Sequence, residues 1–194
     1  MEADRRAELL RAAADEVARR GVDRVRLRDV AKAAGVSIGL LQHYFETRDG
    51  LVREAFELAA LDSLRRRVES APDDPWERLC AVLDDIVLPH DAEREAVSWV
   101  DLCASAIRHP ELRPTVARVQ EGWRELLREA LEDGVARGRF APPLDPDTAA
   151  TAINALIDGF ELSVAAGAIE LGDRRAAREL LLRSAAVLAG NLAA

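Results

Sequence analysis

Apolar residues recur every three to four positions along most of this chain, which is the spacing of a buried helix face. In the first segment Leu10, Ala13, Ala14 and Val17 carry the spacing, and Gly21 follows as a helix stop. No segment shows the alternation of a strand. The pattern therefore predicts an all-α fold of about nine helices, over residues 5–20, 27–34, 37–45, 47–70, 75–88, 92–108, 114–137, 146–169 and 173–190.

The second and third predicted helices are short and are joined by a tight turn. A helix-turn-helix needs a small residue where its helices cross, a glycine in the turn and an apolar anchor on the second helix. Ala31, Gly35 and Leu41 occupy these places. The spacing favours a helix-turn-helix, and a plain α-hairpin with Ile38 and Leu40 in its core is the alternative.

A helix in the major groove of DNA reads base edges by hydrogen bonds and thymine methyl groups by apolar contact. Gln42 can pair with an adenine, Ile38 or Leu40 can touch a methyl group, and Gly39 allows close backbone approach. Ser37, Tyr44 and Arg48 are placed for phosphates, the last at a helix N-terminus that favours anions. The predicted DNA-binding residues are Arg28, Ser37, Ile38, Gly39, Leu40, Gln42, His43, Tyr44 and Arg48.

Residues 5–55 resemble the N-terminal domain of TetR-family transcriptional regulators. The resemblance rests on Gly21, the run RDVAKAAGVS at 28–37, HYF at 43–45 and Arg48. It implies a three-helix DNA-binding domain over residues 1–50 and a helical domain for effector binding and dimerisation over residues 51–194. The chain departs from the family at three positions. Arg26 stands where Thr or Ser often caps the second helix, Leu40 stands where Thr is frequent, and Gln42 stands where Tyr is usual.

The C-terminal half resembles the BetI-type subgroup of that family, through Trp99, HPEL at 109–112, WREL at 123–126 and the runs at 144–150 and 155–159. An apolar pocket with a few polar groups is expected among the fourth to eighth helices. If the effector is a quaternary amine, tryptophan faces and a carboxylate could hold it. For each tryptophan, core packing is the alternative. For Asp158 and Glu161, the alternative is a row of polar residues that is solvated or lies in an interface. The candidate ligand-binding residues are Phe56, Trp99, Cys103, Ile107, Trp123, Leu127, Asp158, Phe160 and Glu161.

The last two predicted helices are apolar on more than one side. Packing against the body and against their copies in a second subunit would cover both sides, giving a four-helix interface with twofold symmetry. A monomer with a thicker core is the alternative. The predicted interface residues are Leu156, Leu162, Ala177, Leu180, Leu181, Ser184 and Leu188.

The net charge of −8 is unevenly distributed, because residues 1–53 carry 11 basic and 9 acidic side chains and the remainder is strongly acidic. Such a chain would approach a polyanion with its N-terminal end, and ordinary surface charge is the alternative. Two cysteines, no export signal and no apolar run of membrane-spanning length favour the cytoplasm. His43, His90 and His109 lack metal-ligand spacing, and no motif of an enzyme or cofactor site is present.

These observations predict a one-component bacterial transcription regulator. Regulators of this kind are more often repressors than activators. It would bind a pseudo-palindromic operator as a homodimer and leave it when a small-molecule effector binds. A helical sensor or carrier that shares the fold without reading DNA is the alternative.

Overall fold

The computed structural model of the chain describes residues 2–87, 89, 92–169 and 174–191, with residues 2–3 and 60–68 described by their backbone alone. Helices dominate these ranges, no strand occurs in them, and the predicted all-α fold is confirmed. The α-helices are α1 (Glu2–Arg20), α2 (Leu27–Ala33), α3 (Ile38–Tyr44), α4 (Arg48–Glu69), α5 (Pro75–Val87), α6 (Ala92–Arg108), α7 (Arg113–Ala136), α8 (Pro146–Ala165) and α9 (Arg174–Ala189). A 3-10 helix covers Pro110–Leu112.

Helix α8 ends four residues earlier than the apolar pattern predicts. Gly167 has a φ of 68°, and the Ala168 N–H donates to the Ser163 carbonyl at 2.8 Å. This left-handed glycine closes the helix through a Schellman-type turn. The predicted ends of the fifth and ninth helices differ little, and residues 88 and 173 lie outside the described residues.

The chain divides into two compact units, and the first comprises residues up to 63 together with 98–119. Its core is formed by helices α1, α2, α3 and α4 together with the second half of α6 and the 3-10 helix. The unit extends past the predicted boundary at residue 50, because Leu51 and Ala55 are buried in the same core as Leu9. The buried core residues are Leu9, Leu10, Ala13, Val17, Val22, Val25, Val30, Ala31, Leu41, Phe45, Leu51, Val52, Ala55, Leu102, Ala106 and Leu112.

Polar contacts fasten the segment after α1 to α6 within this first unit. The Val22 N–H donates to the Asp101 carboxylate at 2.5 Å. One residue further on, the Arg108 guanidinium donates to the Asp23 carboxylate at 2.7 Å. The turn that leads into α2 is therefore held by charged groups as well as by the apolar core.

The second unit comprises residues 64–97 and those from 120 onward. Helices α5, α8 and α9 pack together there, and α7 contributes Leu127 and Leu131 to the same core. Asp145 caps α8, because its carboxylate accepts the Thr148 N–H at 3.0 Å. Hydrogen bonding to Thr148 holds the pKa of Asp145 below its usual value.

Candidate nucleic-acid interface

The turn between α2 and α3 is a Schellman turn centred on Gly35. Gly35 has a φ of 66°, the Gly35 N–H donates to Lys32, and the Val36 N–H donates to the Ala31 carbonyl at 2.9 Å. A residue with a side chain would be strained at this φ. Val36 then packs against the core that contains Ala31, so the sequence of the turn fixes the direction in which α3 leaves it.

Helix α3 buries one side and exposes the other. Leu41 is fully buried, and Phe45 just beyond the helix is nearly so. Ile38 is 48% exposed and Leu40 is 37% exposed, and Gln42 is exposed beside them. The α-hairpin alternative, which places Ile38 and Leu40 in a core, is therefore wrong.

The N-terminus of α3 is capped by Ser37 and is open to a partner. The Ser37 Oγ accepts the Leu40 N–H at 3.1 Å, which leaves the hydroxyl hydrogen available to an external acceptor. A methyl group added at Gly39 would approach only this Oγ, at 4.0 Å. The protein's own packing therefore does not require a glycine at position 39.

Arg48 is directed into its own unit. Its Nε donates to the Val25 carbonyl at 3.1 Å, and its Nη1 pairs with Asp49 at 2.6 Å. Its Nη2 is buried and has no hydrogen-bond partner among the described residues. In this conformation Arg48 ties the start of α4 to the α1–α2 turn, so its predicted phosphate contact stays a prediction.

Tyr44 and His43 occupy the last turn of α3. Tyr44 is half-buried and packs against the core, while His43 is exposed. Their rings meet edge to face, with centroids 5.6 Å apart. The tyrosine ring therefore packs against the exposed imidazole at the end of α3.

An open depression of about 390 Å³ lies beside the start of α2. Among the residues that line it, the sequence predicts only Arg28 as a DNA contact. Four arginines within nine residues were the signal that could have identified the rest. The lining residues are Arg20, Asp23, Arg24, Arg26, Arg28 and Asp29.

The candidate ligand-binding residues fall in both units. Phe56 and Trp99 pack against the core of the first unit, and Trp123 packs against the core of the second. Leu127 and Phe160 are themselves members of the second core. No cavity inside a single unit can contain all nine residues, and their role in binding stays a prediction.

Two further ligand candidates differ in their surroundings. Ile107 is 76% exposed in the chain, so it is a surface residue and does not line a cavity of the first unit. Asp158 accepts a hydrogen bond from the Gln120 side chain at 2.8 Å, and Asn154 donates to the same Gln120. Asn154 and Asp158 of α8 therefore face Gln120 of α7 within the second unit.

The predicted dimer interface is corrected in part. Ala177 and Leu181 are buried in the core of their own unit, so they are unavailable to a second chain. Leu162 and Leu180 are more than half exposed, at 55% and 57%. Val187, 72% exposed, belongs to the same surface of α9 and was not predicted. The remaining candidates, which are partly buried, are Leu156, Ser184 and Leu188.

Other chemistry is sparse in the part of the chain that the structure describes. No cluster of three metal-ligating side chains occurs in it. Burial and the nearby Asp84 raise the pKa of the Cys80 thiol to about 11, which keeps it protonated and unreactive near neutral pH. None of the described helices has both the length and the hydropathy needed to cross a bilayer. His90 lies outside the described residues.

Comparison with known proteins identifies the family. The family described as bacterial regulatory proteins of the tetR family matches residues 9–55. The family described as BetI-type transcriptional repressor, C-terminal, matches residues 75–190. Both matches cover the segments in which the sequence resemblance was found.

Individual relatives agree with this assignment. The HTH-type transcriptional repressor KstR2 of Mycolicibacterium smegmatis is 31% identical over 149 residues, covering 75% of this chain and 72% of the relative. The HTH-type transcriptional regulator BetI of Stenotrophomonas maltophilia is 30% identical over 162 residues, covering 81% and 80%. The crystal structure of a TetR-family transcriptional regulator from Rhodococcus sp. superposes with a TM-score of 0.82 at 31% identity, covering 96% of this chain and 98% of that one. The chain therefore belongs to the TetR family of helix-turn-helix transcriptional regulators and carries a C-terminal domain of the BetI type.

Proposed function

We propose that the protein is a cytoplasmic repressor that binds a pseudo-palindromic operator as a homodimer and releases it when a small molecule occupies the C-terminal unit. Sequence-specific DNA binding is supported above all by the side chains that α3 exposes. Ile38, Leu40 and Gln42 are exposed on a helix that is anchored by the fully buried Leu41. This arrangement presents apolar and amide groups to a major groove on a fixed support.

The exposed residues of α3 have separate roles in this proposal. Gln42 makes a bidentate contact with an adenine, and Ile38 or Leu40 contacts a thymine methyl group. His43 lies beside Gln42 and contributes a further polar contact. Ser37 donates its hydroxyl hydrogen to a phosphate, and Tyr44 approaches the backbone from the opposite end of the helix.

Dimerisation is proposed through the exposed apolar surfaces of α8 and α9. Leu162, Leu180 and Val187 are large side chains that the chain's own core leaves uncovered. A second copy related by a twofold axis would cover them in a four-helix contact. The same axis would set two α3 helices about 34 Å apart, the spacing of major grooves one turn apart.

The effector is proposed to bind within the second unit, beside the candidates Trp123 and Phe160, with Asp158 or Glu161 as its polar anchor. A quaternary amine is the candidate that the BetI-type domain suggests. A thermal-shift comparison tests it. Stabilisation by choline or glycine betaine, with none by a neutral apolar compound of similar size, supports the amine, and the reverse result excludes it.

Binding to the DNA upstream of the protein's own gene tests the function as a whole. A gel shift in increasing salt should give retention that is selective over random duplex and that falls steeply with salt. Equal retention of random and upstream duplexes would contradict the proposal. That result would favour a sensor or carrier that shares the fold without reading DNA.

A further inference from the structure

One hydrogen bond joins the two ends of the helix-turn-helix. Val25 lies two residues before α2 begins, and Arg48 is the first residue of α4, after α3 has ended. The Arg48 Nε donates to the Val25 carbonyl at 3.1 Å. Helix α2, the turn and α3 all lie between these two positions in the chain. The bond therefore closes the segment that presents α3.

The Val25 carbonyl accepts none of the hydrogen bonds of α2. The N–H groups of Asp29 and Val30 both donate to the carbonyl of Arg26, the N-cap residue. Val25 itself is buried in the core of the first unit. Leaving a buried carbonyl without a donor destabilises a fold. Arg48 therefore supplies the hydrogen bond that α2 does not give to this carbonyl.

The guanidinium group of Arg48 offers no free edge to a phosphate. Binding of a phosphate by two parallel hydrogen bonds needs two adjacent N–H groups, and both edges of a guanidinium that supply them include Nη2. In Arg48 the Nη2 is buried, and the Nε is used by Val25. The Nη1 pairs with the Asp49 carboxylate at 2.6 Å, whose charge offsets that of the guanidinium. The side chain is therefore bound within its own unit.

The first turn of α4 is held on the same core by apolar contacts. Leu51 and Val52 are almost fully buried and belong to the core that contains Val25. Apolar contacts are not directional, whereas a hydrogen bond restricts both distance and angle. The bond from Arg48 therefore adds a directional contact at the point where the chain passes from α3 to α4.

We propose that Arg48 is a positioning residue, which holds the ends of the helix-turn-helix together so that α3 can read bases, and that it does not bind a phosphate. This inference rests on the proposed function, because it assumes that α3 reads DNA. The sequence predicts the other role, a phosphate contact at the start of α4. A phosphate contact requires the positive charge of the side chain, whereas the Val25 carbonyl requires a donor at the place of Nε.

Salt titration of DNA binding by two variants separates these roles. Arg48→Ala/Asp49→Ala removes the ion pair without changing the net charge. Arg48→Lys keeps the charge but places a methylene group at the position of Nε. Fluorescence anisotropy would give the affinities for the preferred and for random duplex at about 50 to about 300 mM salt. Measuring well below the midpoint of thermal unfolding keeps each variant folded, so lower stability alone leaves these affinities unchanged.

Both variants should lose selectivity and keep the salt dependence of the wild type. The ratio of the affinities for preferred and random duplex should fall roughly 5-fold or more, which is the discrimination that one base contact supplies. The slope of log K against log salt should stay that of the wild type, because no phosphate contact is lost.

Two controls separate the bond to Val25 from the neighbouring charges. Asp49→Asn removes the charge beside Arg48 and leaves the Nε donor in place, so it should keep the selectivity. Glu125→Ala/Arg128→Ala removes an ion pair of α7 in the second unit, also without changing the net charge, and it should change neither quantity. A loss of selectivity in Asp49→Asn as large as in Arg48→Lys would overturn the role of the Val25 bond.

Three other results would also contradict the proposal. A slope that falls by about 0.9 in the double alanine variant, with the wild-type slope in Arg48→Lys, would make Arg48 a phosphate ligand. Unchanged selectivity in both variants, with only a lower midpoint of unfolding, would make the bond to Val25 a contribution to stability alone. If the wild type itself shows no selective binding, the proposed function fails and the inference fails with it.

Discussion

Replacing Gly39 by alanine separates what the protein's own fold needs at this position from what a partner needs. Gly39 is the second residue of α3, and a methyl group there would approach only the Ser37 Oγ, at the ordinary contact distance of 4.0 Å. Alanine in a helix is more favourable than glycine by about 0.5–1 kcal/mol. The variant should therefore be as stable as the wild type or more stable by up to that amount.

The same methyl group should weaken DNA binding if the backbone of α3 approaches base edges closely. Forcing one extra carbon into a closely packed contact costs about 1–3 kcal/mol. Because about 1.4 kcal/mol is a factor of ten, the dissociation constant for the preferred duplex should rise roughly 5- to 150-fold. Binding to random duplex, which depends on phosphate contacts, should change much less.

Two measurements on Gly39→Ala test these expectations for stability and for DNA affinity. Thermal unfolding without DNA should show a Tm that is unchanged or higher by up to about 4 °C. Fluorescence anisotropy should show weaker binding to the preferred duplex. Unchanged affinity for that duplex would refute the close approach of α3 to DNA, and a lower Tm would refute the open surroundings of Gly39.

Other substitutions test the turn at Gly35, the proposed dimer contact and the ion pairs of Asp23 and Glu16. Gly35→Ala should destabilise the protein by about 1–2 kcal/mol in chemical denaturation, because only the positive φ opposes it; an unchanged midpoint would contradict the turn geometry. Leu180→Arg should keep the helical content and yield a monomer in light scattering, whereas a surviving dimer would place the interface elsewhere. Arg108→Ala should weaken DNA binding by leaving the Asp23 charge uncompensated, and adding Asp23→Asn should restore it; no recovery would mean that Arg108 acts through the fold. Arg19 and Arg20 together lower the pKa of Glu16, so its contribution to stability is present above about pH 4.3 and is lost as pH falls through the lower folded-state pKa. Glu16→Gln should therefore flatten the acid end of the stability curve, and an unchanged acid limb would argue against this pairing.

The orientation of α3 was predictable because local sequence determines it. Gly35 ends α2 in a left-handed turn, Ser37 caps α3, and Leu41 is the apolar residue that can reach the core from there. All three signals lie within seven residues. These local signals therefore indicate which side chains of α3 face the core and which are exposed.

Arg48 and the arginine depression depend on contacts between distant residues. The carbonyl that holds Arg48 belongs to Val25, 23 residues earlier in the chain. Asp23 is compensated by Arg108, 85 residues later. Sequence patterns show that arginines are abundant near residue 24, but only the fold shows which of them are paired.

The proposed dimer surface shows the same limit for apolar residues. Helix α9 carries Leu180 and Leu181 side by side, and either could face the chain's own core. The structure buries Leu181 and exposes Leu180, because α9 packs against α5 and α8 with the side that carries Leu181. The spacing of apolar residues identifies the apolar sides of a helix. It does not show which of these sides a neighbouring helix of the same chain covers.

The base preference of Gln42→Ala shows whether α3 reads bases in the major groove. Duplexes bound from a random pool by the wild type and by the variant would be sequenced, with Glu129→Ala, an exposed residue of α7, as the control. The variant's preference should relax at a single base pair of each half-site, with discrimination there reduced by about 1–3 kcal/mol, and should stay unchanged elsewhere. An unchanged preference profile, or a fall in affinity that is equal for all sequences, would mean that Gln42 reads no base.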